Sequence, residues 1–477
     1  MRTAYSVETV RAAERELMAR LPEGALMQRA AAGLAAACAD LLGRVYGSRV
    51  VLLVGSGDNG GDALYAGARL ARRGAGVTAV LLARPERTHS EGLTALLRAG
   101  GRVAADGGAE EAVERADLVV DGIVGIGGKG GLRPDAEALA GAVERSRAAV
   151  VAVDLPSGVE ADTGEVRGSA LRADLTVTFG THKPGLLVDP AREYAGSVRL
   201  VDIGLELPPD AELEALQHAD VARLLPRPAA ESDKYRRGVV GIAAGSARYP
   251  GAAVLAVSGA LRGGAGAVRY VGPAAQAVIA RFPETLVSDQ GPAKAGRVQA
   301  WVVGPGAGDD AATVAEVLSA EVPVLLDADG LRLAERNAVR GRTAPTLMTP
   351  HAGEAAALLG VPREEVEGAR LASVRELAAV YRATVLLKGS TTLVADSGGG
   401  AVRVNATGTG WLATAGSGDV LSGLAGSLLA AGLSALDAGS VAAYLHGLAG
   451  RFAAAGAPAG AHDVAERIPE AWRDVRG

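Results

Sequence analysis

Cysteine is nearly absent from this sequence of 477 residues, which contains only Cys38. A disulfide within the chain is therefore impossible, and zinc sites built from cysteines are excluded. Histidine is scarce as well, and the six histidines lack the spacing of a transition-metal site. A reducing compartment fits this composition, so we expect a cytoplasmic protein.

Long apolar runs and blocks of like charge are also missing. No apolar run reaches about 18 residues without a charged residue, glycine or proline, so we expect no membrane span. The first twenty residues alternate charged and apolar side chains, which predicts an amphipathic helix and not a signal peptide. With a formal net charge of −5 and no basic cluster, the chain offers nucleic acid no electrostatic footprint.

The remaining composition is that of a soluble globular protein, with 49% hydrophobic and 22% charged residues. A chain of this length exceeds one ordinary core and indicates more than one domain. The proline-marked stretch GLELPPDAELEALQHADVARLLPRPAAESD has no strand-like run and is predicted to connect two domains. We place the domains at residues 1–212 and 213–477.

Strands and helices alternate in the N-terminal half. Two helices are predicted between Ser6 and Leu42, and a strand at 50–54 is followed by a glycine loop over Gly55–Gly61 and a helix from Asp62. Further strands are predicted at 77–82, 117–120, 149–153, 175–179 and 198–201, with helices at 91–98 and 136–145. This alternation predicts a doubly wound parallel sheet covered on both faces.

A second α/β series begins at Val239. Its predicted strands start there and at 301–303, 324–326 and 385–387, and its final helix is predicted at 435–454. The fold class is therefore α/β in both halves.

Candidate acid/base residues follow three strands of the N-terminal half. Asp121, Asp154 and Lys183 each come after a different strand, where ligands bind in parallel sheets. Two acids and a lysine at one sheet edge can form an acid/base site. A structural ion pair would use the same residues, so both interpretations remain open.

A glycine-rich loop that runs into an apolar helix, Asn405 to Ala431, dominates the C-terminal half. Backbone N–H groups of residues 415–418 would face an anion at the helix N-terminus, where the positive end of the helix dipole lies. Asp419, where loop and helix are predicted to meet, would be repelled by a phosphoryl group and suits a general base better. An N-cap is the alternative role for this residue.

Four N-terminal segments, GSGDNGGD, DGIVGIGGKGG, AVDLPSGV and TFGTHKPGL, resemble the motifs of the NAD(P)H-hydrate epimerase domain, which is Rossmann-like. The resemblance implies that two segments line the substrate's phosphates. These are Asp58, Asn59, Gly60, Gly61 and Asp62, and Gly125, Ile126, Gly127, Gly128, Lys129, Gly130 and Gly131.

The same resemblance implies that Asp154 contacts the reacting nicotinamide ring, with Lys183 as its proton-transfer partner. It also implies a potassium ion held by Asn59, Asp121 and Ser157. One residue departs from the family pattern: Asp58 stands where asparagine is usual, which adds negative charge near the proposed phosphates.

The C-terminal half resembles the ADP-dependent NAD(P)H-hydrate dehydratases of the ribokinase-like superfamily. The matching segments include VVGPGAG, LLDADGL, TPHAGE, LLKGSTT and NATGTGWLATAGSGDVLSG. The resemblance implies that the adenine nucleotide contacts Lys388, Gly389, Ser390, Thr391, Thr392 and Gly418. It implies that the hydrated cofactor contacts Ala252, Gly308, His351 and Asp419.

Structural roles are also open for two of these residues. His351 follows Pro350 at a predicted helix start, so it could be a cap or a packed polar side chain. Lys388 ends a strand and could extend its ammonium group to solvent.

Together these resemblances imply a bifunctional enzyme that repairs damaged NADH and NADPH. The first domain would interconvert the R and S epimers of NADHX and NADPHX. The second would dehydrate the S epimer, with Asp419 as the base, at the expense of ADP, which gives AMP and phosphate. We expect Mg²⁺ with the nucleotide and a homo-oligomer.

Two other functions remain open at this point. A ribokinase-like small-molecule kinase would keep its phosphorylated product, because fold does not determine substrate. A nucleotide-responsive binding protein with one silent domain is the second, and Asp58 is its only support.

Overall fold

The computed structural model describes residues 1–477, apart from the side chain of Pro85. The chain forms two compact units. One consists of Thr3–Glu212, and the other of Leu213–Gly477 together with Met1–Arg2. The predicted organisation into two α/β domains is confirmed.

The N-terminal unit contains a seven-stranded parallel sheet in the order β4-β3-β2-β5-β6-β7-β8. A first strand, β1 (Arg2–Ala4), precedes it. The sheet strands are β2 (Arg49–Val54), β3 (Gly76–Leu81), β4 (Arg102–Val103), β5 (Leu118–Gly122), β6 (Ala149–Val153), β7 (Leu175–Phe179) and β8 (Ser197–Val201). The helices are α1 (Val7–Met18), α2 (Ala25–Leu42), α3 (Asp58–Arg72), α4 (Ser90–Arg98), α5 (Ala109–Glu114), α6 (Pro134–Arg145) and α7 (Arg192–Ala195).

Continuous apolar runs explain the central strands of this sheet. In β2, five of the six residues of RVVLLV are buried, which is the pattern of a strand covered on both faces. After β2 the chain adds β3 and β4 on one side and then returns to place β5 on the other. The strand order therefore reverses between β2 and β5, which is where ligands bind in open α/β sheets.

Two boundaries in this unit differ from the prediction. Helix α3 begins at Asp58, four residues before Asp62, because Gly57 at φ 105° starts the helix inside the predicted loop. Asp, Asn and Gly favour turns, which hid this first helical turn in the sequence. Asp121 lies within β5 and not after it.

Helix α2 is long and apolar enough to cross a membrane by length and composition alone. Core helices pass the same test, so this is weak evidence. Leu34 and Cys38 of this helix are fully buried in the hydrophobic core of the N-terminal unit. Arg29, Gly33 and Asp40 are the interruptions on which the expectation of no membrane span depends.

The C-terminal unit is built on a mixed sheet that runs β9-β18-β17-β16-β15-β14-β13-β10-β11-β12. Its strands are β9 (Leu213–Ala215), β10 (Val239–Ala243), β11 (Ala267–Val271), β12 (Leu286–Ser288), β13 (Ala300–Val303), β14 (Val324–Leu326), β15 (Thr346–Met348), β16 (Thr384–Leu387), β17 (Thr392–Ala395) and β18 (Val402–Asn405). Strand β17 is antiparallel to both neighbours, and the other pairs are parallel.

Helices cover this sheet. They are α8 (His218–Leu224), α9 (Lys234–Arg237), α10 (Pro250–Arg262), α11 (Ala275–Arg281), α12 (Ala311–Leu318), α13 (Asp329–Leu333), α14 (Arg336–Arg340), α15 (Ala352–Leu359), α16 (Arg363–Gly368), α17 (Arg370–Tyr381), α18 (Ser417–Ala430), α19 (Ala435–Ala454) and α20 (Ala461–Asp474). The strand order reverses between β10 and β13, so this unit also has a switch point.

Several elements of the C-terminal unit were mispredicted. The proposed connection at 204–233 contains β9 and α8, because a three-residue strand and a seven-residue helix are too short to show a periodic pattern. Helix α20 follows the predicted final helix, and Pro469 inside it disguised its helical pattern. Strands β11, β12, β15, β17 and β18 were not predicted.

Helix α18 begins at Ser417, two residues before the predicted junction. Its N-cap is Gly416 at φ 89°, so the alternative N-cap role of Asp419 is wrong. Asp419 instead lies in the first turn of the helix.

Candidate functional sites

Asp154 and Lys183 form a buried ion pair at the carboxyl ends of β6 and β7. Their Oδ1 and Nζ atoms are 2.5 Å apart, and Lys183 is only 1% exposed. The ammonium group also donates to Thr178 Oγ1 at 3.1 Å and to the carbonyl oxygen of Phe179 at 3.0 Å. All three of its N–H donors therefore have acceptors within this unit.

The carboxylate of Asp154 is held through one oxygen. Its Oδ1 accepts from Lys183 Nζ, from Thr178 Oγ1 at 2.9 Å and from the backbone N–H of Phe179 at 3.3 Å. The residue has a φ of 68°, a strained conformation for a residue other than glycine, which is typical of functional sites. Three donors on Oδ1 leave Oδ2 as the oxygen available for proton transfer.

Asp62 lies near this pair in the first turns of α3. It is 6% exposed, and its buried Oδ1 has no hydrogen-bond partner. Burial raises the pKa of Asp62 well above its usual value, and the negative charges of Asp154, Asp58 and Glu14 raise it further. The structure therefore favours the protonated form of Asp62.

Glu14 of α1 is a member of this cluster that the sequence did not identify. Burial raises its pKa, an effect that Lys183 opposes and Asp154 and Asp58 reinforce. The start of α1 is attached to the same region, because the N–H of Tyr5 donates to the carbonyl oxygen of His182 at 3.1 Å. A single glutamate in an amphipathic helix gives no sequence signal for such a position.

Asp121 does not join the Asp154–Lys183 pair and binds Ser157 instead. Its Oδ1 accepts from Ser157 Oγ at 2.6 Å and its Oδ2 from the Ser157 N–H at 2.8 Å. Burial raises the pKa of Asp121 to about 6, although the hydrogen bonds from Ser157 and the Ile123 N–H lower it.

Asn59 contacts the same loop as Ser157. The side-chain amide of Asn59 donates to the Val153 carbonyl oxygen at 2.6 Å. Its Oδ1 lies close to Gly125, and a Cβ added at Gly125 would overlap this oxygen. The Val124 N–H next in the chain donates to Ser157 Oγ at 3.0 Å. Asn59, Asp121 and Ser157 thus supply only oxygen ligands around one buried loop, a donor set that suits a hard cation.

The two glycine-rich segments of the N-terminal unit meet at its switch point. The N–H of Gly55 donates to the Gly122 carbonyl oxygen at 3.0 Å, and any side chain at Gly55 would overlap the carbonyl oxygen of Ile123. Asp58–Asp62 begin α3, while Gly125–Gly131 form the loop after β5. Both predicted phosphate-lining segments therefore border the same sheet edge.

Asp419 lies in the first turn of α18, beside Lys388. A Cβ placed on the preceding Gly418 would be 3.5 Å from Lys388 Nζ and 3.9 Å from Asp327 Oδ2. Burial and the neighbouring charge of Asp327 raise the pKa of Asp419 to about 7, although Lys388 lowers it. A carboxyl with this pKa can exchange protons near neutral pH.

Lys388 is paired and does not extend to solvent, so that alternative is wrong. Its Nζ lies 2.8 Å from Asp327 Oδ1 and 3.8 Å from Glu354 Oε2. Burial alone would lower the pKa of Lys388, but the charges of Asp327 and Glu354 outweigh it and raise this pKa. The lysine therefore remains a cation. It lies beside the glycine cradle, which is the backbone of residues 415–418 at the start of α18.

Asp327 is the central residue of this network and was missed from the sequence. It follows β14, is 1% exposed, and accepts from Ser422 Oγ at 2.6 Å as well as from Lys388. The acid directly after a buried strand in LLDADGL was the available signal. Asp327 and Glu354 together orient the ammonium group of Lys388.

The predicted nucleotide segment surrounds this lysine. Residues 388–391 lie between β16 and β17, and Thr392 is the first residue of β17. Arg370 of α17 donates to the carbonyl oxygens of Lys388 at 3.1 Å and Thr391 at 3.0 Å, which stabilises the turn. Gly418 faces the same ammonium group, so the structure brings the two predicted nucleotide elements together.

His351 caps α15. Its ring Nδ1 accepts from the backbone N–H of Glu354 at 3.1 Å, and the backbone N–H of His351 donates to Glu354 Oε2 at 2.8 Å. The alternative capping role is therefore confirmed, and the exposed ring remains available to a ligand. Glu354 links this histidine to Lys388.

Ala252 and Gly308 lie at the switch point of the C-terminal unit. The Gly308 N–H donates to Asp329 Oδ2 at 2.9 Å. Ala252 lies in the first turn of α10, where its Cβ is close to Gly306 of the loop after β13. Both residues thus border the opening between β10 and β13.

Each unit matches a separate protein family. Residues 23–185 match the YjeF-related protein N-terminus, and residues 240–470 match the NAD(P)H-hydrate dehydratase family. Two α/β units that match two enzyme-associated families, each with a carboxyl at the sheet edge where ligands bind, define a two-domain enzyme.

Relatives span the whole chain. The bifunctional NAD(P)H-hydrate repair enzyme Nnr of Mycobacterium leprae (strain TN) is 50% identical over 465 residues, which cover 95% of each chain. The enzyme of the same name from Mycobacterium tuberculosis (strain ATCC 25618 / H37Rv) is 50% identical over 448 residues, covering 92% of this chain and 91% of the relative.

Among solved structures, the ADP/ATP-dependent NAD(P)H-hydrate dehydratase from Bacillus subtilis, crystallised with ATP and Mg²⁺, is similar with a TM-score of 0.51 and 30% identity. The match covers 55% of this chain and 99% of the Bacillus subtilis chain. The chain belongs to the family of bifunctional NAD(P)H-hydrate repair enzymes. The family predicted from the sequence is confirmed.

Proposed function

We propose that this protein repairs hydrated nicotinamide cofactors in two steps. The N-terminal unit, residues 1–212, interconverts the R and S epimers of NADHX and NADPHX. The C-terminal unit, residues 213–477, dehydrates the S epimer to NADH or NADPH with ADP, which gives AMP and phosphate. The observation that best supports this function is the carboxyl of Asp419, with a pKa of about 7, in the first turn of a glycine-capped helix beside Lys388.

In the dehydratase site, Asp419 acts as the general base. It takes the proton from the ring hydroxyl, whose oxygen then forms a bond to the terminal phosphorus of ADP. The bond from that phosphorus to the bridging oxygen breaks and AMP leaves. Phosphate then departs from the ring with loss of a proton from the neighbouring carbon, which restores the double bond.

The other residues of this site bind and orient the nucleotide and the hydrated cofactor. Backbone N–H groups at the start of α18 and the ammonium of Lys388 stabilise negative charge on the phosphoryl group. Lys388–Thr392 and Gly418 hold the adenine nucleotide, while Ala252, Gly308 and His351 contact the hydrated cofactor.

Mg²⁺ would enter this site with the nucleotide's phosphates. Within the described residues, no three carboxylate, histidine or cysteine side chains are grouped as metal ligands. A metal bound mainly through substrate phosphates is the usual arrangement for Mg²⁺ and suits this site.

In the epimerase site, Asp154 exchanges the proton of the substrate through its Oδ2. Lys183, whose Nζ donates to Asp154 Oδ1, is the proton-transfer partner of Asp154 and also holds its orientation. Asp58–Asp62 and Gly125–Gly131 line the substrate. Within Asp58–Asp62, the burial of Asp62 favours a position near the nicotinamide ring of the substrate over one at a phosphate.

A potassium ion at Asn59, Asp121 and Ser157 is part of the proposal. The donor set contains only oxygens, and Asp121 is a fully buried carboxyl whose negative charge a cation would stabilise. The ion would hold the loop after β5 in place. The proposal further assigns the enzyme to the cytoplasm as a homo-oligomer.

The test is to incubate the purified protein with both epimers of NADH hydrate and to follow dihydronicotinamide absorbance at 340 nm. Full recovery of both epimers with ADP, and none without nucleotide, is expected. Recovery that stops partway would contradict the epimerase assignment. A stable phosphorylated product would favour the kinase alternative, and no recovery with ADP or ATP would overturn the repair function.

A further inference from the structure

An exposed arginine and tyrosine lie at the switch point of the C-terminal unit and have no assigned role. Arg248 and Tyr249 lie in the loop between β10 and α10, and Tyr249 is 47% exposed. The guanidinium carbon of Arg248 is 5.1 Å from the centre of the Tyr249 ring. Large aromatic side chains are scarce in this chain, so an exposed one at a ligand-binding sheet edge calls for a functional explanation.

This loop is part of the switch point of the C-terminal unit. It follows β10, and the Gly245 N–H within it donates to the carbonyl oxygen of Pro305 in the loop after β13 at 2.7 Å. A Cβ placed on Gly306 would lie 3.1 Å from the Tyr249 Cβ. The two loops that flank the reversal of strand order therefore meet at Tyr249.

Packing of α10 against α18 places Tyr249 at the end of α10 that lies beside the start of α18. Leu255, near the start of α10, packs against Gly416, the N-cap of α18. Gly263 at the other end of α10 lies against Ser427, near the end of α18. The two helices therefore run in the same direction, and Tyr249, which precedes α10, lies on the side where α18 begins.

The position of this loop in the sheet favours the hydrated cofactor over ADP as its ligand. The proposed nucleotide turn follows β16, which is separated from β10 by β13, β14 and β15. At about 4.8 Å per strand, this corresponds to roughly 19 Å along the sheet. Ala252 and Gly308, the proposed contacts of the hydrated cofactor, border the same switch point as Tyr249.

We propose that Arg248 and Tyr249 recognise the hydrated dinucleotide in the dehydratase site. Tyr249 stacks on a planar ring of the dinucleotide, and Arg248 pairs with one of its phosphate groups. Tyrosine offers a flat face with few rotatable bonds, and arginine binds phosphate through a planar set of donors. This inference rests on the proposed function.

The test compares Tyr249→Ala and Tyr249→Phe with the wild-type enzyme. Loss of a stacking platform typically weakens binding about 5- to 100-fold, so Tyr249→Ala should raise KM for S-NADPH hydrate by that factor. Its kcat and its KM for ADP should remain unchanged, because uniform substrate binding affects KM alone. Tyr249→Phe keeps the ring and should behave as wild type.

Tyr235→Ala is the matched control. Tyr235 is 37% exposed in the same unit, and its ring also lies near cations, with Lys234 Nζ at 5.4 Å and Arg297 Cζ at 5.4 Å. It follows no strand of the switch point, and its replacement should leave both KM values unchanged. Calorimetric titration of each variant with S-NADPH hydrate, in the absence of ADP, measures the same loss of affinity without turnover.

Two results would overturn the inference alone. One is an unchanged KM for the hydrate in Tyr249→Ala, and the other is a rise confined to the KM for ADP, which would assign the pair to the nucleotide. A wild-type protein that binds the hydrate but does not convert it would instead overturn the proposed function. Arg248→Ala should raise KM for the hydrate as well, and should reduce its dependence on salt.

Discussion

The two units of this protein each bring a carboxyl to the sheet edge at which ligands bind, one after a strand and one in the first turn of a helix, and give these carboxyls different surroundings. In both units the strand order reverses beside the site, and a glycine there allows two backbones to touch: Gly55 on the Ile123 carbonyl, and Gly304 on the Asp327 carbonyl. Asp154, however, is bound by three donors, whereas Asp419 lies near the like charge of Asp327. Both units bring their carboxyl to the ligand-binding edge of the sheet, and the local partners decide how each carboxyl is held.

This difference matches the two proposed reactions. Asp154 exchanges a proton reversibly and is held in one orientation by Lys183 and its neighbours. Asp419 must accept a proton while an anionic nucleotide is bound nearby, and a pKa of about 7 makes it a stronger base than an ordinary aspartate. The ammonium group of Lys388, which pairs with Asp327, partly offsets the negative charges around Asp419.

The largest effect that would separate the units is expected from Asp419→Ala. Loss of a general base typically reduces the rate about 10² to 10⁴-fold, so ADP-dependent dehydration should nearly disappear while epimerisation continues at the wild-type rate. Recovery at 340 nm measures the first activity, and chromatography of the two epimers measures the second. Asp437→Asn is a matched control, since Asp437 lies in the first turn of α19. Normal dehydration in Asp419→Ala would contradict the assignment.

The buried pair of the N-terminal unit is the next point of contrast. Lys183→Met leaves Asp154 without its ammonium partner, and breaking a buried pair costs about 3–5 kcal/mol in the free energy of unfolding. Epimerisation should fall with it, while dehydration of the S epimer is retained. Thermal unfolding and chromatography provide the two measurements.

Arg49→Met is the control for that variant, because Arg49 pairs with Asp117 at 3.0 Å on the surface of the same unit. Surface pairs contribute little, so its unfolding should change only slightly. Equal losses of stability in the two variants would show that the burial of Lys183 has no special importance.

The pH dependence of dehydration would sharpen the contrast further. Because Asp419 must be ionised to act as a base, kcat/KM should rise with pH and level off above about 7. Asp327→Asn removes a charge that raises the pKa of Asp419 and frees Lys388 to lower it, so the midpoint should move to lower pH. Asp310→Asn, at the exposed N-cap of α12, should leave the midpoint in place. An unchanged midpoint in Asp327→Asn would contradict the electrostatic origin of the shift.

The smallest expected effect is on stability. A carboxyl whose pKa is raised by folding binds protons more tightly in the folded state, so the contribution of Asp419 to stability is lost as pH rises from about 4 toward 7. Asp419→Asn removes this cost and should raise Tm slightly at pH 8 but not at pH 4. A lower Tm at pH 8 would indicate that the carboxylate is stabilised by contacts in the folded protein.

Much of the sheet architecture was predictable because buried parallel strands leave continuous apolar runs, as in Arg49–Val54 and Val239–Ala243. The glycine motifs also identified both sheet edges. Short elements such as β9 failed because three residues cannot display a period.

The site was only partly predictable, for a different physical reason. Asp154 and Lys183 stand out at strand ends, but the donation of all three lysine N–H groups depends on the fold. Asp327 and Glu354 act through Lys388, a relation between residues far apart in sequence. Tyr249 gave no signal, because its exposure and position depend on how α10 packs against α18.

Mixing two singly inactivated variants tests the central claim, that one chain holds two independent sites. Asp154→Asn and Asp419→Asn would each be supplied with equal amounts of the two epimers and ADP, first separately and then together. We expect Asp154→Asn alone to restore the S epimer quickly and the R epimer only at its spontaneous rate. Asp419→Asn alone should give no recovery, and the mixture should restore both epimers completely. A mixture no better than Asp154→Asn alone would contradict the account.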